Sequence, residues 1–426
     1  MVPQRALTLI ATVKPGHKDA LRQLLERMGQ NPAENDVIPF GQLAGTHFAR
    51  LFLVDEGVGQ AGEVFPPLLV LMSDFDGSLN RYLQQLLSCA GEGINQVYSH
   101  CEGYPGENGP PTLEARLAYL RAGSVPANTV YVNTMGRTVE QICQEARLRD
   151  AIEDFLSRDQ SRWTGSSPDA VRAAIQDFVR GEPALQWARH PAAPLSLWYR
   201  LADGLDLVAL PLLVLLLSPL LLLVLPVWVV LLRYHELIEP APHVRADPAH
   251  IQELAALEDH GPQNQFTAVG VIKPGWFRQL TVNAVFRLAS YGTRHVFNQG
   301  SLGGVKTIHV ARWVSINDQK RAIFVSNYDG SLESYMDDFI DQLWWGLNAV
   351  FSNGVGYPKT QFLVFGGAKN ELQFKDYLRF HQIPTQVWYA AYDQLTALNI
   401  DNNARIRAGL FGRSTAAQTQ EWLRRF

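Results

Sequence analysis

The chain has 426 residues, 47% hydrophobic and 18% charged, a globular composition long enough for two or three domains. A net charge of −4, with no Lys/Arg-rich run, excludes the electrostatic footprint of a nucleic-acid binder. Cys89, Cys101 and Cys143 are odd in number and lack metal-type spacing, so they read as thiols in a reducing compartment and not as a disulfide framework.

From the N-terminus, residues 6–13 read as an apolar, partly β-branched strand ended by Lys14-Pro15-Gly16. The stretch lacks a small-residue cleavage site, so it is expected to open a domain and not to be a signal peptide. Leu21, Leu24 and Leu25 fall at helical spacing within 19–28. Segments 47–54 and 67–73 read as strands, and 79–88 and 91–99 as a helix with a glycine break. A helix at 113–121, a strand at 129–133 and a helix at 139–155 complete this part.

The middle of the chain changes character. Ser167-Pro168-Asp169 starts a helix over 168–180 that Gly181 ends, and a Pro-rich link over 183–194 follows. Residues 195–207 are amphipathic enough to lie on a membrane surface. From Leu207 to Leu232 there is no charge for 26 residues, long enough to span a hydrocarbon core of about 30 Å. Trp198, Tyr199, Trp228 and Tyr234 stand near its ends as interfacial anchors. Pro211, Pro219 and Pro226 interrupt it, and Ser218-Pro219 lies near the middle, where a helix kinks or breaks. A single crossing would part the flanking regions, whereas a re-entrant hairpin at Ser218-Pro219 would leave both on one side and free to pair. The hairpin is the preferred expectation. Arg200 and Arg233 are offset by Asp203, Asp206 and Glu236, so flanking charge gives no orientation, and the cytoplasmic side is the default for the globular parts. Glu239-Pro240-Ala241-Pro242 then breaks the chain before a linker helix over 248–257.

Beyond this insert the chain repeats itself. Lys273-Pro274-Gly275 echoes Lys14-Pro15-Gly16, His309-Val310-Ala311-Arg312 echoes His47-Phe48-Ala49-Arg50, and Asp329-Gly330-Ser331-Leu332 echoes Asp76-Gly77-Ser78-Leu79. Tyr104-Pro105, Tyr119-Leu120-Arg121 and Ala146-Arg147-Leu148-Arg149 also return, in order, as Tyr357-Pro358, Tyr377-Leu378-Arg379 and Ala404-Arg405-Ile406-Arg407. The order β-α-β-β-α, then a later β, is the ferredoxin-like split βαβ plan with extra helices. An α+β fold is therefore expected: two tandem ferredoxin-like repeats, 1–157 and 263–426, separated by a helical linker, 158–262, holding the membrane segment 207–232. Each sheet would have one bare face, and two copies can bury theirs together as a pseudo-twofold α/β-barrel pair.

Candidate chemistry is weighed against structural roles. His and Arg three apart on a strand face opposite ways unless a bulge intervenes, so His47/Arg50 and His309/Arg312 serve a fold as readily as a site. Asp-Gly-Ser-Leu suits a helix N-terminus, or makes Asp329 an acid or base at a pocket mouth. Lys-Pro-Gly is turn chemistry first. His235, His243, His250 and His260 read as a solvated linker, and no metal motif, nucleophile elbow, P-loop or Rossmann glycine pattern occurs. The second copy is richer in large aromatics, including Trp276, Trp313, Trp344, Trp345 and Trp388. An aromatic-lined pocket there, with His309, Arg312, Asp329 and His381 nearby, is the predicted site, with Trp344 and Trp345 as core or membrane-facing anchors in the alternative.

Tandem ferredoxin-like domains joined face to face resemble the dimeric α/β-barrel superfamily, which includes dye-decolourising peroxidases and chlorite dismutases. The resemblance covers both repeats at the level of element order. The peroxidases carry a Gly-x-x-Asp-Gly motif with a distal catalytic Asp, and Ser73-Asp74-Phe75-Asp76-Gly77 and Ser326-Asn327-Tyr328-Asp329-Gly330 stand in its place, with Ser for the leading Gly. The resemblance implies a haem-dependent peroxidase-type oxidoreductase, and the membrane insert would hold the pocket mouth at the bilayer, where an apolar, lipid-like substrate is concentrated. Asp329, Arg312 and His309 would be catalytic, and His381 and Trp345 would contact the cofactor. The alternative is a non-catalytic membrane-bound binding or scaffold protein. Membrane lipid and an apolar small molecule are the expected partners, the alternative would use the repeat pair to recruit a partner or hold a ligand, and oligomerisation is left open.

Overall fold

The computed structural model describes residues 4–60, 62–106, 109–192, 194, 196–298 and 300–426. The first part contains β1 (Gln4–Thr12), α1 (Lys18–Gly29), β2 (Thr46–Val54), β3 (Leu68–Asp76), α2 (Leu79–Tyr98), α3 (Leu113–Ala122), β4 (Thr129–Val132) and α4 (Val139–Ser157). The insert holds α5 (Pro168–Gly181), α6 (Leu197–Ile238) and α7 (Pro248–Ala255). The last part contains β5 (Gln263–Val271), α8 (Trp276–His295), β6 (Ile308–Ile316), β7 (Arg321–Asp329), α9 (Leu332–Phe351), α10 (Glu371–His381), β8 (Val387–Ala390), α11 (Ala397–Gly409) and α12 (Ala416–Leu423). The fold is α+β. The break expected in the helix around Gly91 is present as a kink in α2 at Ala90 (φ −133°, ψ 30°).

Two four-stranded antiparallel sheets carry the architecture, in the orders β1-β3-β2-β8 and β4-β6-β7-β5. Each takes three strands from one part of the chain and its fourth from the other. β8 pairs with β2 from Val387 opposite Leu51 to Ala390 opposite Phe48. β4 pairs with β6 from Thr129 opposite Trp313 to Val132 opposite Val310. All nine residues of β2 are buried, so a bare edge on it would leave a row of apolar side chains and ladder groups unpaired.

The sheets face each other. Phe52, Val70 and Met72 of one meet Val314, Ile323 and Val325 of the other in an apolar interior. Helices cover the outer faces and form two further cores, one with Leu9, Leu51, Leu71 and Leu86, the other with Phe266, Trp313, Phe324 and Met336. Burial on both faces explains why β2 and β3 read as near-continuous apolar runs and not as alternating ones.

The central segment differs from expectation. α6 is one continuous helix of 42 residues, so the reversal expected at Ser218-Pro219 does not occur, and the surface helix expected over 195–207 is its first turns. Pro219 has no N–H to give the Leu215 carbonyl, but the Ser218 hydroxyl donates to that carbonyl at 2.7 Å and replaces the missing bond. Both ends of α6 are tied to α8. At the start, Arg294 binds Asp203 and Asp206 at 2.8 and 3.1 Å, and the Tyr291 hydroxyl donates to the Leu207 carbonyl. At the finish, Trp228 donates to Thr281, His235 stacks on Phe277, and Glu239 takes two bonds from Arg278. Between Asp203 and Glu239 a straight helix measures about 54 Å, against about 24 Å of α8 between Arg294 and Arg278. The middle stands clear of the body: from 211 to 227 every residue but Ser218 is exposed.

Candidate functional site

β2 and β6 each begin with a register shift, at Thr46/Phe48 and at Ile308/Val310, so each histidine sits on a bulge. His309 Nε2 lies 2.6 Å from Asp329 Oδ1, and the second carboxylate oxygen accepts the backbone N–H of Ala397, the first residue of α11, at 2.8 Å. His47 Nε2 lies 3.1 Å from Asp76 Oδ1, whose partner oxygen accepts from Val139, the first residue of α4. In Asp-Gly-Ser-Leu the serine caps the helix it precedes, α2 or α9, whereas the aspartate caps a helix much later in the chain.

A carboxylate can only accept, so Nε2 of His309 is the donor in this pair. Its ring neighbours are Phe48, at 5.6 Å, and Tyr392, at 6.4 Å. Tyr392 bonds the Nδ1 of His47 at 2.8 Å and stands edge-on to Phe48. The surroundings are aromatic and closed, and no nucleophile touches His309 among the described residues.

Arg312 points into the space between the sheets. It donates to the Leu7 and Ser73 carbonyls and the Thr8 hydroxyl, and forms an ion pair with Asp74. Arg50 does the same in the other direction, reaching the Phe266 and Ser326 carbonyls, Thr267 and Asn327. Burial lowers the pKa of Arg50, while the charge of Asp74 opposes that shift. These arginines are struts between the sheets. His309 and Arg312 do not share a pocket.

His381 lies on the other side of the second sheet, in an apolar cavity of about 50 Å³ enclosed by β5, α8, α9 and α10 and lined by Trp313, Phe324, Phe286, Phe351 and Tyr377. Its Nδ1 donates to the Tyr377 carbonyl at 2.9 Å, and burial lowers its pKa, so a neutral ring presents an Nε2 lone pair. That is the right tautomer for a metal-bound histidine. The space is wrong for haem. The ring rests on β5, where a Cβ placed on Gly270 would lie 3.5 Å from Cδ2 and 3.9 Å from Nε2, leaving no slot for a macrocycle. The cavity itself has room for about four waters. Trp345 is 41% exposed and packs on Phe297, outside the cavity. The expected constellation is thus divided: His309 with Asp329 at a sheet end, Arg312 between the sheets, and His381 beneath the helices. His381 and Trp345 do not form a haem site. No group of three or more His, Cys, Asp or Glu able to hold a metal occurs among the described residues.

A larger opening escaped sequence reasoning. Between α4 and α11 lies a cleft of about 760 Å³ whose walls include Arg137, Glu145, Lys306, Asp401, Arg405 and Arg407. Its one sequence signal was the recurring Arg-Leu-Arg and Arg-Ile-Arg phrase, the second of which supplies Arg405 and Arg407. No family model, curated protein or solved structure matches the chain.

Proposed function

We propose that the chain is a non-catalytic, membrane-surface binding or scaffold protein. It would consist of two ferredoxin-like repeats joined as an α/β-barrel pair, with membrane lipid as its partner. The repeat reading is supported by matched contacts on either side: Arg50 and Arg312 reach equivalent strands of the opposite sheet, and His47–Asp76 and His309–Asp329 cap equivalent helices.

One observation carries the functional reading. α6 has a mean hydropathy of 2.9 over its most apolar 18 residues, none of that window is buried, and yet both ends of the helix bond to α8. Apolar surface so large has its lowest free energy in hydrocarbon. A helix whose two ends return to one body enters a leaflet as an arch, its backbone bonds satisfied internally, and keeps the body on one face of the bilayer. The cytoplasmic face suits the three free thiols.

Flotation with phosphatidylcholine vesicles tests this. The full chain is expected to rise with the vesicles, and Leu215→Lys with Leu222→Lys, at side chains 69% and 74% exposed, is expected to abolish flotation while leaving the far-UV circular dichroism unchanged. A double variant that floats like the parent would sink the reading. The purified protein is also expected to lack absorption near 400 nm, and a Soret band would restore the haem alternative.

A further inference from the structure

The cleft between α4 and α11 borders the point where α6 leaves the body. Met135, on its wall, takes the Tyr199 hydroxyl on its sulfur at 3.8 Å. Asn298, also on the wall, donates to the carbonyl of Arg294, the residue that binds Asp203 and Asp206 of α6.

Its charges do not balance. Among the described residues, Arg137, Lys306, Arg405 and Arg407 face only Glu145 and Asp401. Asp401 is taken up by Arg405 at 2.7 Å. Glu145 is shared by Arg407 at 3.2 Å, Arg137 at 3.9 Å and the amide of Gln141 at 2.8 Å. Lys306 is exposed and has no ion-pair partner among the described residues. The guanidinium of Arg407, 9% exposed, stacks on Trp187 and donates to the His190 carbonyl, and its Nε finds no acceptor. Two positive charges are left over, the complement of a phosphate monoester dianion. Guanidinium groups match phosphate oxygens in geometry as well as charge.

We propose that this cleft binds a phosphate monoester headgroup, with Lys306 and Arg405 as the mobile contacts and Arg407 held ready by Trp187 and Glu145. With α6 in the leaflet, the group would be carried by a lipid whose chains lie along the helix. The lipid source rests on the membrane reading above, whereas the phosphate chemistry does not.

The test uses the full chain in a neutral detergent, titrated calorimetrically with dihexanoyl phosphatidic acid, dihexanoyl phosphatidylcholine and inorganic phosphate. Phosphatidic acid is expected to bind at least tenfold more tightly than phosphatidylcholine. Lys306→Glu with Arg405→Glu, both at the surface, is expected to remove that preference without changing flotation on phosphatidylcholine vesicles. Inorganic phosphate binding as tightly as phosphatidic acid, with the same sensitivity to the double variant, would support the site and assign it to a soluble ester. Equal binding of the two lipids, or a double variant that keeps the preference, would overturn the proposal. A parent chain that prefers phosphatidic acid but does not rise with the vesicles would sink the membrane reading and spare the cleft.

Discussion

Asp76 and Asp329 each hold a histidine and the first N–H of a distant helix with one carboxylate. Asp329→Ala leaves the His309 N–H and the Ala397 N–H unpaired in a buried place, and is expected to lower stability by about 1–3 kcal/mol in urea unfolding. An unchanged midpoint would deny the aspartate its double role. The three thiols should also part company. Burial pushes Cys101 up to about 12 and raises Cys143, whereas Cys89 is exposed. At pH 8 a thiol reagent should label Cys89 first, and all three only after unfolding. Equal labelling of Cys101 in the native protein would contradict its packing. At this scale the recurring His and Asp were visible in the sequence but their bond was not. Strict strand alternation turns His309 away from Arg312, and a bulge leaves no mark in a period of two.

α6 is held at its far end by two acids. Glu236 is 7% exposed and accepts the backbone N–H groups of Phe362 and Leu363 and the hydroxyl of Thr360. Removing it, as in Glu236→Ala, orphans those donors, and amide exchange over 360–364 is expected to quicken at least tenfold. Glu239 is half-buried. Burial alone would raise its pKa, but hydrogen bonds from Arg278 and the charge of Lys273 outweigh that and hold it below the ordinary 4.5. A carboxyl depressed in this way gives its full stabilisation above pH 4.5 and loses it as pH falls through the lower, folded value. Undocking of residues 233–242 should therefore set in below pH 4.5, followed by exchange or by Trp228 fluorescence. Protection unchanged down to pH 3 would refute the linkage. The apolar length of α6 was legible in the sequence. Its continuity was not, because counting the N–H that Pro219 lacks predicts a break, and the compensating hydroxyl of Ser218 lies one residue away on the other side of the ledger.

Across the whole molecule the sheets are joined by exchanged strands and buried arginines. Asp74→Ala strands the charge of Arg312 between the sheets and is expected to cost about 3–5 kcal/mol, while Asp74→Ala with Arg312→Met should recover most of it. Thermal unfolding of both variants decides, and a double variant no better than the single would show that the ion pair is not the term that matters. That β4 is a strand could be read from its composition. Which strand it joins could not, because an apolar four-residue run carries no address for its partner.

The lending of β4 and β8 has a consequence for ancestry. On the two-repeat reading, each copy gives its own fourth strand to the other copy's sheet, so a single-copy forebear would complete its sheet only as a homodimer that exchanged strands. A homodimer must carry every insertion twice, once per subunit. On that reading, joining the copies in one gene would lift the constraint: the one long apolar helix lies between them and is tied to a 20-residue helix whose counterpart would have 12 residues.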